Sequence, residues 1–260
     1  MTKKTVWCKI YYIKLLWRSV PLLFLKIAGL TIKVDNIYDY ITGVCRGYTT
    51  DPSDNYDIEI RMTEEDLESE PQPEGTTAPP HILESTATYR KIAEALPSFD
   101  AFVMHGSAVA VDGVAYIITA KSGIGKTTHT RLWLEALGER AHVLNGDKPV
   151  IRFIDGKPIA CGTPWRGKEN YGISEMLPLG GIVLFGRGSQ NKVYPIDRES
   201  AFFSLSSQIY RSREANALLK TIELTDKVLS SVRIIRAECN MEREAAELVY
   251  NAIVADPIYV

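Results

Sequence analysis

Residues 114–137 read VAYIITAKSGIGKTTHTRLWLEAL, and this stretch decides the fold. Val114 to Thr119 is a short apolar run of the kind a buried strand shows. Ala120 to Thr127, AKSGIGKT, fits the pattern G-x-x-x-x-G-K-[ST], with Ala120 in place of the first glycine. The next residues are helical in pattern, and Gly138 is placed to cap that helix. Each residue type at this spacing has a physical reason. Gly123 and Gly125 let the backbone curl so that successive N–H groups point inward at phosphate oxygens. Lys126 is expected to reach the β- and γ-phosphates and the Thr127 hydroxyl to ligate Mg²⁺. The helix beginning near Lys126 adds its positive end to the same anion. Ser122, Gly123, Ile124, Gly125, Lys126, Thr127 and Thr128 are therefore the expected nucleotide-binding residues, with ATP and Mg²⁺ as the implied cofactors.

Moving outward, Val103 to Val111 is a second apolar run, joined to the first by a hairpin turn at Asp112-Gly113. It carries His105, a candidate catalytic residue. After the helix, His142 to Leu144 is a short apolar run leading to Asn145-Gly146-Asp147. A phosphate-binding loop needs a further acid to hold the metal, and Asp147 is the candidate, twenty residues beyond Thr127. Val150 to Ile154 and Pro158 to Cys161 flank a turn at Asp155-Gly156. Leu179 to Phe185, Lys192 to Ile196 and Val232 to Ala237 read as strands. Glu84 to Leu96, Ser200 to Tyr210, Glu214 to Leu219 and Glu242 to Val254 read as helices. Strands, helices and several hairpins in this order predict an α/β fold with a mixed sheet.

The remainder of the chain is bounded by composition and charge. Its 260 residues, 45% hydrophobic and 24% charged with net charge −2, suit a globular protein, and a near-neutral balance gives no electrostatic footprint for nucleic acid. Four cysteines, Cys8, Cys45, Cys161 and Cys239, lie far apart with no CxxC pair. They indicate neither a zinc site nor a disulfide framework, and scattered thiols suit a reducing cytoplasm. Residues 1–34 carry seven bases and no acid, while 35–80 carry twelve acids against Arg46 and Arg61. The basic segment is apolar and aromatic, yet Lys9, Lys14 and Arg18 interrupt it, so neither a membrane span nor a signal peptide is expected. It is expected either to pack on the domain, neutralised by the acidic stretch, or to dock peripherally on an anionic membrane or a partner. Within it and just beyond, Leu30 to Val34 and Ile58 to Met62 read as strands. Residues 63–80, rich in acids and prolines, read as a loop or linker. The expected organisation is a basic segment 1–34, a subregion 35–100 containing that loop, and a core 101–260.

Taken together, HGSAVAVDGVAYIITAKSGIGKT (105–127) resembles the HPr kinase/phosphorylase family. NGDKP (145–149), GTPW (162–165) and GIVLFGRG (181–188) extend the likeness to the stand-alone kinase-like proteins related to it. The resemblance spans about Phe102 to Val150 and, more loosely, runs to Val193. It implies a phosphoenolpyruvate-carboxykinase-like P-loop fold, here with a small β-containing N-terminal extension, and transfer of a γ-phosphoryl group to a hydroxyl, often of serine. On this likeness His105 matches the family's active-site histidine and Asp147 the second, metal-binding acid of an Asp-Asp pair. The first acid, the family's proposed general base, is Gly146 here. Asp147 combining both duties, or Glu169 or Glu175 serving instead, are the alternatives. Arg166 and Lys168 are the candidates for clamping the transferring phosphate or the acceptor, with Arg187 a weaker third.

The function expected is that of a kinase acting on a hydroxyl of a peptide, protein or small molecule, with peptide modification and self-association suggested by resemblance alone. A nucleotide-binding regulatory protein with feeble chemistry is the alternative that Gly146 favours. A carboxykinase acting on oxaloacetate is disfavoured by the short chain.

Overall fold

The computed structural model describes residues 20–72 and 75–255. Strands β1 (Leu23–Ile27), β2 (Leu30–Asp35) and β3 (Ile58–Arg61) form a small sheet, β1 antiparallel and β3 parallel to β2. Alternation drives it: Ile32, Val34, Ile58 and Ile60 point inward, while Lys33 and Glu59 face outward and pair at 2.8 Å. Residues 23–34 of the basic segment are thus built into a core, and the expectations for 1–19 lie outside the described residues. Helices α1 (Tyr40–Val44), α2 (Glu64–Glu68) and α3 (Pro80–Ala95) accompany this sheet.

Residues 63–80, expected to be a loop, contain α2. Its start is a capping box, in which the Thr63 side chain accepts from Asp66 N and Asp66 accepts from Thr63 N. Leu67 is buried, and Asp66 and Glu70 pair with Lys91 and Arg90 of α3 at 2.6 Å each. The acids that looked like a solvating run are partnered across to a neighbouring helix. That helix also starts earlier than expected because Pro80, with its fixed φ, opens its first turn.

The main sheet has nine strands: β4 (Ala101–Val103), β5 (Ser107–Val111), β6 (Val114–Thr119), β7 (Ala141–Asn145), β8 (Val150–Ile154), β9 (Lys157–Cys161), β10 (Met176–Arg187), β11 (Lys192–Pro195) and β12 (Arg233–Cys239). The run expected as one strand over 103–111 is divided. β4 joins β8, β5 joins β6 and β7, and Met104, His105 and Gly106 cross between them. The long β10 is where the sheet forks. Its first residues pair antiparallel with β9, and its later ones run parallel to β6 and to β12. A mixed α/β architecture follows, as the order of elements implied.

Helices cover both faces of the β5–β6–β10 part, which is why β5 and β6 are buried along almost their whole length, whereas β12 carries Arg233, Arg236 and Glu238 among its apolar residues. Tyr116 and Ile118 of β6, with Val183 and Phe185 of β10, pack under α4 (Lys126–Leu137) and α7 (Arg243–Val254). Ala115, Ile117 and Ile182 face the other way, toward α5 (Arg198–Ser206) and α6 (Ala215–Ser231). A further apolar cluster joins the small sheet and α3 to Ala101, Val103, Val150 and Cys161. No helix among the described residues is long and apolar enough to cross a membrane.

Candidate nucleotide and acceptor site

The end of β6 delivers the chain into the glycine-rich loop. Gly123 has φ +78° and Gly125 φ +113°, the left-handed region where a side chain would be strained. Gly125 is the N-cap of α4, and no side chain caps this end. The first-turn N–H groups of Lys126, Thr127 and Thr128 have no acceptor to reach inside the helix. The Lys126 ammonium folds back to donate to Ala120 O at 2.9 Å, and burial holds its pKa below the usual lysine value. Arg187 pins the loop from outside, its Nε donating to Ile124 O at 2.8 Å. Ser122 is exposed, and Ile124, Thr127 and Thr128 are half-buried around the same turn.

The crossing at His105 and the turn at 145–148 are stitched together by backbone and side chain. Thr119 Oγ1 donates to His105 O at 2.7 Å, and Gly106 N donates to Asp147 O at 3.0 Å. Asn145, fully buried, accepts on Oδ1 from the N–H groups of Asp147 and Lys148 at 2.9 and 2.7 Å. Its Nδ2 donates to Thr163 O and Oγ1, both at 3.0 Å, and Thr163 Oγ1 in turn donates to Lys148 O at 2.8 Å. This closed network fixes Asp147 beside His105, with Oδ1 at 3.4 Å from Nε2. Burial pushes the Asp147 carboxyl up, but the His105 contact and the neighbouring Lys148 ammonium outweigh it and hold the pKa below the ordinary value. The Asp147 charge also acts on Lys126, so the loop lysine and this carboxylate share one electrostatic neighbourhood.

Gln208, just after α5, orients the histidine. Ser207 Oγ donates to Ser204 O at 2.7 Å, so its oxygen is free to accept from Gln208 Nε2 at 3.0 Å. That turns Gln208 Oε1 toward His105 Nδ1, 3.1 Å away, and the network assigns the proton to Nδ1. Nε2 is the ring nitrogen left facing Asp147 Oδ1. Neither Gln208 nor Thr163 was among the expected site residues. NGDKP displayed Asn145 with a sequence signal, the Asx turn that an asparagine makes onto its own downstream N–H groups, but Gln208 has no local signature.

Two cavities flank this dyad. One, of about 280 Å³, adjoins the loop and is lined by Thr119, Ala120, Lys121, Ile124, Phe185 and Gln208, among others. The other, a cleft of about 1030 Å³, is lined by α1 and α3 and reaches Asp147 and Lys148, with Trp165, Arg166, Gly167 and Asn170 also in its lining. Lys168 and Glu169 are exposed and line neither cavity. Glu175 is engaged elsewhere, 2.7 Å from His142 Nε2. Gly146 has no room for a side chain, because a Cβ there would fall 2.7 Å from Arg166 O and 3.3 Å from Tyr171 O.

No protein-family model matches the sequence, and no curated protein matches it. Among solved structures, the HPr(Ser) kinase/phosphatase from Coxiella burnetii is similar at a TM-score of 0.32 and 10% identity, over 56% of this chain and 90% of that one. A likeness at this level carries no weight for function.

Proposed function

We propose that the chain is an ATP-dependent kinase that transfers the γ-phosphoryl group to a hydroxyl, serine being the acceptor type the sequence resemblance implies. One observation carries the reading: an uncapped, glycine-turned helix head, its lysine, and an ionised aspartate come together beside a histidine held through Nδ1 by Gln208. The donor set fits a nucleotide tail. The first-turn N–H groups and Lys126 are anion donors, and the Thr127 hydroxyl with the Asp147 carboxylate are the hard oxygens that Mg²⁺ takes alongside phosphates. When bound, the divalent ion neutralises charge on the β- and γ-phosphates.

Phosphoryl transfer passes through a loose transition state, so positioning and charge matter most. Lys126 holds the phosphates at the loop. Asp147, kept as a carboxylate, suits metal ligation better than proton abstraction. The base role that Gly146 leaves vacant falls to His105. Its Nε2 takes the hydroxyl proton as the acceptor oxygen bonds to the γ-phosphorus and the bridging oxygen leaves with ADP. Gln208 holds the ring through Nδ1, with Nε2 turned toward Asp147.

A nucleotide-binding regulatory protein is the second reading, favoured by the loop that fills the space of the missing acid at Gly146. Thermal unfolding with and without Mg-ATP tests the binding: the wild type is expected to be stabilised and Lys126→Ala to lose that stabilisation entirely. An unchanged shift in the variant would sink the loop assignment. Transfer of label from γ-labelled ATP to a hydroxyl acceptor separates kinase from regulator.

A further inference from the structure

The cleft and the cavity at the glycine-rich loop share no lining residue. His105 contacts Gln208, which lines the cavity at the loop, and Asp147, which lines the cleft. No residue of 120–128 lines the cleft. Arg166 lines the cleft and not the cavity at the loop.

Its guanidinium is half-buried and under-partnered. Nη1 donates to Gly172 O at 3.1 Å, and Nε is buried with no hydrogen-bond partner. Among the described residues no carboxylate pairs with it. Two titratable groups feel its charge, the Cys45 thiol, pushed up by burial to about 12, and the Tyr48 phenol, also pushed up by burial, with the Arg166 charge opposing both shifts. Both groups are neutral at physiological pH. Removing a cation from water without a counter-charge is costly, and a fold retains such a group where a ligand supplies the charge. The other cleft charges lean the same way. Arg46 is exposed with no carboxylate partner among the described residues, and Lys148 lines the same cleft. Against them stand Asp39 and Asp147, the latter already facing His105 and Lys148.

We propose that this cleft is the acceptor site and that Arg166 reads an anionic group there, so that the acceptor is a hydroxyl-bearing molecule that also carries a carboxylate or a phosphate. A planar, permanently charged guanidinium matches either anion through paired N–H bonds. Tyr40, and Tyr89 packed against Trp165 at 5.2 Å between ring centroids, supply apolar wall, and the volume suits a short segment or small molecule. The assignment rests on the kinase reading for what the acceptor is used for, but not for whether it binds.

Calorimetric titration with three blocked peptides tests it: Ac-Ala-Ser-Ala-NH₂, Ac-Asp-Ser-Asp-NH₂ and Ac-phosphoSer-Ser-Ala-NH₂. The wild type is expected to bind at least one anionic peptide tenfold or more tighter than the neutral one, and the two anionic arms distinguish carboxylate from phosphate. Arg166→Gln is expected to remove the preference and Arg166→Lys to restore part of it. Lys126→Ala is expected to keep it, since no loop residue lines the cleft. Equal binding of the three peptides, or no binding by any of them, overturns the proposal. So does a preference that survives Arg166→Gln and disappears in Lys126→Ala. A wild type that ignores Mg-ATP but retains the peptide preference would defeat the kinase reading and leave the cleft assignment standing.

Discussion

At residue scale, the legible positions are those whose constraint is local. Gly123, Gly125, Lys126 and Thr127 announce themselves because eight consecutive residues make the turn, and each type has one job there. Gly146 is different. The family resemblance implies a lost acid there, whereas the physical constraint comes from the backbone of Arg166 and Tyr171 folded over it, and no local pattern encodes that approach. A side chain introduced at Gly146 has to displace main chain. Gly146→Ala is accordingly expected to cost about 1–3 kcal/mol, read from urea unfolding. Gly146→Asp is expected to lower stability without raising phosphoryl transfer, and a gain in turnover with unchanged stability would contradict the packing described. Gln208 was silent for a related reason: its contact with His105 depends on where α5 ends and on Ser207 fixing its amide, both tertiary facts.

Elements were read best where the apolar period was clean and worst where polar residues carry part of a buried face. α6 was expected to stop at Leu219 but continues to Ser231. Its buried positions, Thr221, Leu224, Thr225 and Val228, follow helical spacing, but two of them are threonines. Their hydroxyls are satisfied by carbonyls one turn back, Thr221 by Ala217 O and Thr225 by Thr221 O, both at 2.8 Å, so they count as apolar once folded. α3 holds the opposite case, a buried acid. Glu84, fully buried, accepts from the N–H groups of Ile37 and Tyr38, the latter at 3.0 Å. It thereby anchors the approach to α1, where Asp39 and Tyr40 enter the cleft. Glu84→Ala strands both N–H groups at a cost of about 1–3 kcal/mol each. The expected outcome is a fall of several kcal/mol in unfolding free energy, with Glu84→Gln losing less because one acceptor remains. Equal stability of the alanine variant would refute the anchoring role.

For the whole molecule, the sequence conveyed the class, α/β with a mixed sheet, but not how the parts interlock. Ala101, Val103, Val150 and Cys161 share a core with the small sheet, far away in sequence. The opposite face offers a test of global stability through His129. It is fully buried between Trp133, whose Nε1 donates to its Nε2 at 3.2 Å, and the stacked Phe185 ring, 4.4 Å away. Burial pushes its pKa down to about 4 from an ordinary 6.5. Between those values the unfolded chain binds a proton that the folded one refuses, so stability falls as pH drops from 6.5 toward 4 and this contribution levels off below. The full effect is about 3 kcal/mol. Unfolding midpoints of wild type and His129→Gln, compared from pH 7.5 to 4.5, are expected to converge as the pH falls. Parallel curves would mean that the imidazole titrates normally.

The fork at β10 also bears on how the chain is made. β10 leaves the ribosome before β12, so its stretch Gly181–Arg187 lacks its parallel neighbour until Arg233–Cys239 has been synthesised. A long apolar strand with one open side is a template for any other strand, including one on a second nascent polypeptide. The newborn protein is therefore most exposed to misassembly in the interval between its tenth strand and its twelfth.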